Sequence, residues 1–392
     1  MQITKIRLYN FRNYDRLELS PHPGVNLFFG QNGAGKTNLI EAVHYCAVGR
    51  SHRTVYDREA VRRGEDSAVC GVTVRRAQGE SDIAVKLLPG DGRRKQVYLS
   101  RKRVPRLSEM MGRLRVVCFS PEDLALVREG PSGRRRYLDM MISQMNPAYF
   151  VALQRYQTAL AQRSFLLREA RKDGRSAVPD ELVSVYEEQM AQACEVILPE
   201  RRVVAAELTP LAAGRYLGIS GRAGEPFGVR YAACLEEEDD IAGRAAARLR
   251  ESRVDDMLRG VTAFGPHRED LALTLHGREM RLFASQGQIR TAALALKLAQ
   301  FDLTERRTGD KPVLLLDDVM SELDLTRRER LLEAIAGTQT FVTCTDESDL
   351  ASCADRRSYR ISLTDSLTAR VEETNAGEPT AENAEDMEPL FE

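Results

Sequence analysis

Two clusters of residues have the types and spacing that phosphate chemistry needs. The first is Gly30-Gln31-Asn32-Gly33-Ala34-Gly35-Lys36-Thr37, in which two glycines bracket four residues ahead of a lysine and a hydroxyl. Glycines let backbone N–H groups turn inward around phosphates, the lysine reaches the β- and γ-phosphates, and the hydroxyl ligates Mg2+. The second cluster is Pro312-Val-Leu-Leu-Leu-Asp317-Asp318, an apolar run that ends in two carboxylates. Such a run delivers Asp317 to the metal, directly or through a water, and Asp318 to the water that attacks the phosphate. The expected site therefore takes ATP and Mg2+. Lys36, Asp317 and Asp318 are its catalytic residues, and Thr37 and Asp317 are its metal ligands.

The elements around these clusters must position them. Val25-Asn-Leu-Phe-Phe29 reads as a short buried strand, and Asn-Leu-Ile-Glu-Ala-Val-His-Tyr-Cys-Ala after Thr37 has helical spacing. Strand, loop and helix is the context the glycine-rich run requires, because the helix N-terminus adds its positive dipole end. A third segment, Ser285-Gln-Gly-Gln-Ile-Arg290, precedes the apolar-periodic Thr291-Ala-Ala-Leu-Ala-Leu-Lys-Leu-Ala-Gln. Ser285 reads as a helix N-cap that leaves N–H groups and a hydroxyl pointing outward. Ser321-Glu-Leu-Asp324 follows the paired aspartates and is expected to start a helix, with Ser321 as its cap.

In order and spacing, Ser285-Gln-Gly-Gln288 ahead of an Asp317-Asp318 strand and Ser-x-Leu-Asp324 resembles the signature arrangement of ABC-type ATPases. The resemblance implies a split site: Ser285, Gly287 and Gln288 of one subunit cap the γ-phosphate held by Gly30–Thr37 of another, with Asp324 beside them. The match is imperfect, Ser-Gln-Gly-Gln where that family has Ser-Gly-Gly-Gln. The insertion between the halves spans about 150 residues and carries no sustained heptads, unlike the long coiled coils of SMC-type relatives. Asn10-Phe-Arg-Asn-Tyr14, Phe119-Ser-Pro-Glu-Asp-Leu124, Gly133-Arg-Arg-Arg-Tyr-Leu-Asp139 and Phe264-Gly-Pro-His-Arg-Glu-Asp-Leu271 carry the resemblance further. With these motifs, from the start to about residue 370, the chain resembles the RecF family of bacterial DNA replication and repair proteins.

That likeness implies an α/β, ABC-type P-loop ATPase head with mixed β-sheets and an inserted, mostly helical arm. The division expected is 1–119 and 261–371 for the head, 120–260 for the arm and 372–392 for a disordered acidic tail. Within the arm, 132–172, 180–213 and 238–259 are helix candidates, and Ser120 with Pro121 reads as a helix start. The family further implies an ATP-dependent homodimer that binds duplex and single-stranded or gapped DNA. It also implies work with the RecO and RecR mediators, loading of RecA and a part in SOS induction. Arg12 and Asn13 fall where related heads contact nucleotide. His267 and Arg268 have no assigned role.

Departures from the ABC pattern bear on rate. No glutamine after residue 115 suits a metal-contacting loop, Cys344-Thr345-Asp346 stands where a switch histidine is usual, and the catalytic glutamate position holds the shorter Asp318. Slow hydrolysis, acting as a timer on a clamp, is expected. A transporter cassette would share the nucleotide motifs but would normally keep the glutamine and the histidine. A non-hydrolysing scaffold or an SMC-like chromosome protein also stays open.

Composition sets the outer limits. The chain has 392 residues, 43% of them hydrophobic, and no apolar run long enough to span a membrane. No signal-like segment follows the strand-like Met1-Gln-Ile-Thr-Lys. Seven scattered cysteines without CxxC spacing read as reduced thiols, so a cytoplasmic protein is expected. The net charge of −1 hides eight acidic and no basic residues between Glu372 and Glu392; without them 57 basic residues face 50 acidic ones. Between Arg93 and Arg115 lie Arg93, Arg94, Lys95, Arg101, Lys102, Arg103, Arg106, Arg113 and Arg115 against one acid, Glu109. Such an edge would follow phosphates without reading bases. Arg134, Arg135 and Arg136 sit at a helix start, where positive charge is unfavourable, and so ask for a phosphate or an acidic partner. The terminal Leu390-Phe391 pair is a candidate docking peptide.

Overall fold

Strands that are apolar without interruption are buried on both faces, which is the condition of a parallel sheet. Three runs, apolar except for Asn26, Asp317, Thr340 and Thr343, are buried at every position and form the centre of one sheet: β3 (Val25–Phe29), β12 (Val313–Asp317) and β13 (Thr340–Cys344). The computed structural model describes residues 1–54, 56–77, 79–88, 95–174, 180–222, 224–236, 239–350, 353, 355–364 and 366–374. The chain forms two compact units: Met1–Asp123, Gly218–Ser220 and Gln300–Glu392, and then Leu124–Leu217 with Gly221–Ala299. The sequence reading drew its second division at 260, whereas residues 261–299, Ser285 among them, pack with the helices.

The first unit holds two six-stranded sheets. In one the order is β15-β14-β3-β13-β12-β8, with β8 at Val116–Phe119, β14 at Arg356–Leu363 and β15 at Ala369–Glu373. All its pairings are parallel except β14 with β15. Helix α1 (Lys36–Val48) follows β3, and α9 (Leu325–Ala334) lies between β12 and β13. The other sheet is antiparallel, in the order β2-β1-β4-β5-β6-β7. Its strands are β1 (Gln2–Phe11), β2 (Tyr14–Leu19), β4 (Ala68–Arg76), β5 (Gly79–Leu87), β6 (Lys95–Leu99) and β7 (Lys102–Val104).

The second unit is mostly helical: α2 (Ala125–Arg128), α3 (Pro131–Met145), α4 (Pro147–Lys172), α5 (Asp180–Ser220), α6 (Ile241–Glu251) and α7 (Arg253–Arg259). A small sheet of β11 (Arg278–Glu279), β10 (Asp270–Leu275) and β9 (Phe227–Ala232) completes it. Helix α8 (Gln286–Thr308) begins here, and its central stretch, residues 291–296, is buried at every position and so packs on all sides.

Further expectations change, and the stretch 238–259 divides into α6 and α7 at Ser252. The stretch 132–172 is two helices, because Asn146 accepts from the amides of Ala148 and Tyr149 and starts α4 afresh with Pro147 in its first turn. Residues 121–124 form a 3-10 turn rather than the start of an α-helix, and the Ser120 amide donates to the Asp123 carboxylate. Asp324, not Ser321, caps α9, accepting from the Arg327 amide at 2.9 Å, while Ser321 donates back to the Asp318 carbonyl. Among the described residues no helix is long and apolar enough to cross a membrane. The acidic tail from 375 onward, Leu390 and Phe391 included, lies outside the described residues.

Candidate nucleotide site

Parallel pairing sets Phe29 beside Cys344 and Thr343 beside Asp317, so the Gly30–Thr37 loop and the paired aspartates leave β3 and β12, the two strands flanking β13, at the same end. Ligands of open parallel sheets bind at that end. Gly30 has φ 148°, and a side chain there would strike the Ile361 carbonyl oxygen; Gly35, at φ 119°, has Asn13 where its Cβ would lie. No residue with a side chain fits either position.

Asn13 holds the loop from outside, donating to the Ala34 carbonyl at 2.9 Å and accepting from Asn38. Arg12, in the β1–β2 turn at φ 55°, grips both oxygens of the buried Glu41 at 2.9 and 2.7 Å and the Glu59 carbonyl at 2.6 Å. Both residues brace the loop and the start of α1.

The Lys36 ammonium folds back onto the carbonyls of Gly30 (2.6 Å) and Gln31 (3.0 Å). Burial pulls its pKa below the ordinary value, an effect that Asp318 and Asp317 partly oppose. A phosphate would relieve that penalty. Thr37 donates to Asp317 Oδ1 at 2.8 Å, joining two motifs 280 residues apart. Thr343 donates to the same oxygen at 2.8 Å, and its hydroxyl accepts from the Asp318 amide at 2.9 Å. Burial raises the Asp317 pKa, but neighbouring His52 and the hydroxyls of Thr37 and Thr343 outweigh it, and the net shift is downward. Asp317 is thus held as a carboxylate. A threonine hydroxyl beside an ionised aspartate is a hard oxygen pair that suits Mg2+, which takes its remaining ligands from water and phosphates. Asp318 itself is left-handed, at φ 53°.

Ser285 and Gln288 form a reciprocal cap at the start of α8. The Ser285 hydroxyl accepts from the Gln288 amide at 3.3 Å, and Gln288 Oε1 accepts from the Ser285 amide at 2.9 Å. Ser285 and Gln286 are exposed, Gly287 is half-buried and accepts from Thr291, and Gln288 reaches Glu225 at 3.3 Å. The sequence reading found the serine cap but not its glutamine return.

The basic residues divide. Arg101, Lys102 and Arg103 are exposed on the outermost β6–β7 hairpin, whose turn residues Ser100 and Arg101 have φ 47° and 67°. Lys95, however, is bound to Asp57 at 2.9 Å and to the Gly49 carbonyl. Arg134 is buried and forks onto Asp270 at 2.8 and 2.9 Å, so the acidic partner its position demanded lies within the chain. Arg135 donates to the Glu269 carbonyl, and Arg136 is exposed. Arg93 and Arg94 lie outside the described residues.

His267 and Arg268 are accounted for by packing. The Thr262 carbonyl accepts from His267 Nε2 at 2.9 Å, so Nδ1 is the acceptor for the Tyr156 hydroxyl at 2.6 Å, and the ring is neutral. Arg268 donates to the same carbonyl. Burial pushes the His267 pKa down to about 4. Because the folded value lies below the unfolded one, the neutral ring stabilises the fold above about pH 6.5, and that stability is lost as pH falls toward 4. Between pH 7 and 4.5 the wild type should lose on the order of 2 kcal/mol more than His267→Gln, measured by urea unfolding. Equal losses would remove His267 as the cause.

The model of the RecF/RecN/SMC N terminal domain matches residues 2–368. The chain is 39% identical to the DNA replication and repair protein RecF of Symbiobacterium thermophilum, over 92% of this chain and 96% of that one. A solved structure of the recombination mediator protein RecF with ATP, described within the RecFOR pathway, superposes with TM-score 0.84 at 33% identity, covering 95% of this chain and 97% of that one. A solved SMC head bound to the C-winged helix domain of ScpA shares the fold, with TM-score 0.56 at 15% identity over 95% and 98% of the two chains. A transporter cassette is not favoured by these matches. An ABC-type P-loop ATPase fold, a paired Thr37–Asp317 and this breadth of similarity together place the chain in the RecF family of DNA replication and repair proteins.

Proposed function

We propose that the protein is an ATP-gated DNA clamp of recombinational gap repair, replication and SOS induction, acting in the cytoplasm. In this reading ATP and Mg2+ lie between Lys36, Thr37 and Asp317 of one subunit and Ser285, Gly287 and Gln288 of a second copy. Arg12, Asn13 and Asp324 line the nucleotide, and Asp318 orients the attacking water. Residues 1–119 and 261–371 serve as the head even though 261–299 pack with the helices. The closed dimer grips duplex or gapped DNA through Arg101, Lys102, Arg103 and Arg136. The RecO and RecR mediators read the closed state, and RecA is loaded in consequence. Slow hydrolysis, without a metal-contacting glutamine or a switch histidine, releases the DNA. The observation that carries this reading is the exposed Ser285 at the start of α8: its hydroxyl accepts in the cap and keeps its own proton to donate to another subunit's phosphate.

The test is duplex-DNA binding by fluorescence anisotropy at one moderate salt, with ATP, with ADP and without nucleotide, for wild type and Ser285→Arg. Tight binding only with ATP is expected from the wild type. Ser285→Arg should still bind ATP as a monomer yet neither dimerise nor hold DNA. Equal DNA binding in all three nucleotide states, or loss of ATP binding in Ser285→Arg, would sink the split-site clamp.

A further inference from the structure

One buried imidazole beside the nucleotide site makes no hydrogen bond. Gly49 ends α1 in the left-handed conformation at φ 70°, and the following turn doubles back. Ser51 fixes that turn: its hydroxyl donates to the buried Glu41 at 2.5 Å and accepts from the amides of Arg53 (2.9 Å) and Thr54 (3.1 Å). His52, between these anchors, is turned inward with its side chain 11% exposed. Both ring nitrogens are buried and neither makes a hydrogen bond. The ring packs on His44 at 5.1 Å between centroids, and Nε2 stands 3.9 Å from Asp317 Oδ2. Oδ1 of that aspartate is already taken by Thr37 and Thr343, so Oδ2 and His52 Nε2 face each other across a gap too long for a hydrogen bond.

A buried nitrogen without a partner costs free energy unless something fills the gap. Two ligands on one small divalent ion stand between about 3 Å apart when adjacent and about 4.2 Å apart when opposite, given bonds of about 2.1 Å. The gap fits that span. Among the described residues no group of three or more His, Cys, Asp and Glu side chains is placed to hold a metal, so an ion here also needs the phosphates.

We propose that His52 is a third protein ligand of the nucleotide's metal ion, beside Thr37 and Asp317, and that it tilts the site toward transition-metal ions such as Mn2+ over Mg2+. Mg2+ demands oxygen, whereas imidazole suits first-row transition metals. The proposal rests on the reading above that Thr37 and Asp317 hold the metal.

The affinity of the full chain for a non-hydrolysable ATP analogue, measured in Mn2+ and in Mg2+, tests it. In wild type the Mn2+ value should be tighter by about 10-fold or more, the size of effect that single groups around a metal exert. His52→Phe should erase that preference, with the larger loss of affinity in Mn2+, while Asp317→Asn should weaken binding in both ions. Pulsed EPR on wild type with Mn2+ and an analogue 15N-labelled in its base should detect a 14N coupling that is lost in His52→Phe. The EPR arm needs only the wild-type fold. No 14N coupling in wild type, or a metal preference that survives His52→Phe while Asp317→Asn weakens both ions, would overturn the role of His52 alone. Unchanged affinity in Asp317→Asn would overturn the metal reading beneath it.

Discussion

Lys36→Ala should lower ATP turnover by about 10²–10³-fold, the usual cost of removing one charged donor from the transition state of a transfer reaction, and should leave the fold standing. The two halves of this expectation separate because of what Lys36 touches. Its ammonium bonds the carbonyls of Gly30 and Gln31, and Gln31 is exposed. Water can replace the ammonium at the exposed Gln31, so the substitution should cost less than about 1 kcal/mol of stability. The buried ammonium, by contrast, has no better partner than a phosphate. Phosphate release followed over hours, beside thermal unfolding of the same sample, checks both halves. Turnover within tenfold of wild type would mean that the loop amides alone carry the phosphates. A large drop in unfolding temperature would mean that Lys36 supports the fold.

Arg201→Met should produce the largest loss of stability, about 3–5 kcal/mol within the helical unit, a fall of about 10 °C in its unfolding midpoint. Arg201 is almost wholly buried and donates to Asp139 at 2.7 Å, Glu269 at 2.7 Å, the Tyr149 hydroxyl at 2.9 Å and the Pro266 carbonyl at 2.7 Å. Its removal strands two carboxylates, and a stranded buried charge costs more than the pair ever contributed. Hydrogen exchange in α4 and α5 localises the effect, since a single midpoint does not describe a chain of two units. The double variant Arg201→Met with Glu269→Gln should recover part of the loss. A single variant within 1 kcal/mol of wild type would show that the network is not what holds these helices.

These two residues also mark what a sequence can reveal. Lys36 announces itself because its chemistry is contiguous: glycines, lysine and hydroxyl sit in one turn between a strand and a helix. The residues that tune the site do not. Thr343, which holds Asp317 and the Asp318 amide together, is an ordinary strand threonine until β13 pairs with β12. Glu41 is one acid within a helical stretch, and nothing in the sequence marks it as the buried anchor of Arg12 and Ser51. The family motifs around Gly133–Asp139 and Phe264–Leu271 were legible as patterns but not as purposes. They turn out to lock each other, through Arg134 on Asp270 and through Arg201 between Asp139 and Glu269. The dipole argument correctly demanded an anion near Arg134; its source, 136 residues away, was beyond any local rule. The break at Asn146 was within reach, because asparagine followed by proline is a helix-start signal that the periodicity across 132–172 overrode.

The left-handed backbone at Asp318 bears on how this lineage can change. Aspartate and asparagine tolerate that conformation because a short polar side chain can bond locally, whereas a longer chain pays roughly 1–2 kcal/mol for it. Asp and Glu codons differ by a single base, so mutation offers the longer carboxylate constantly. What keeps it out is geometry: the Thr343 hydroxyl pins the Asp318 amide and the Ser321 hydroxyl pins its carbonyl, leaving the peptide nowhere to relax. A longer side chain at position 318 would therefore need its two tethers released as well, a change that no single substitution makes.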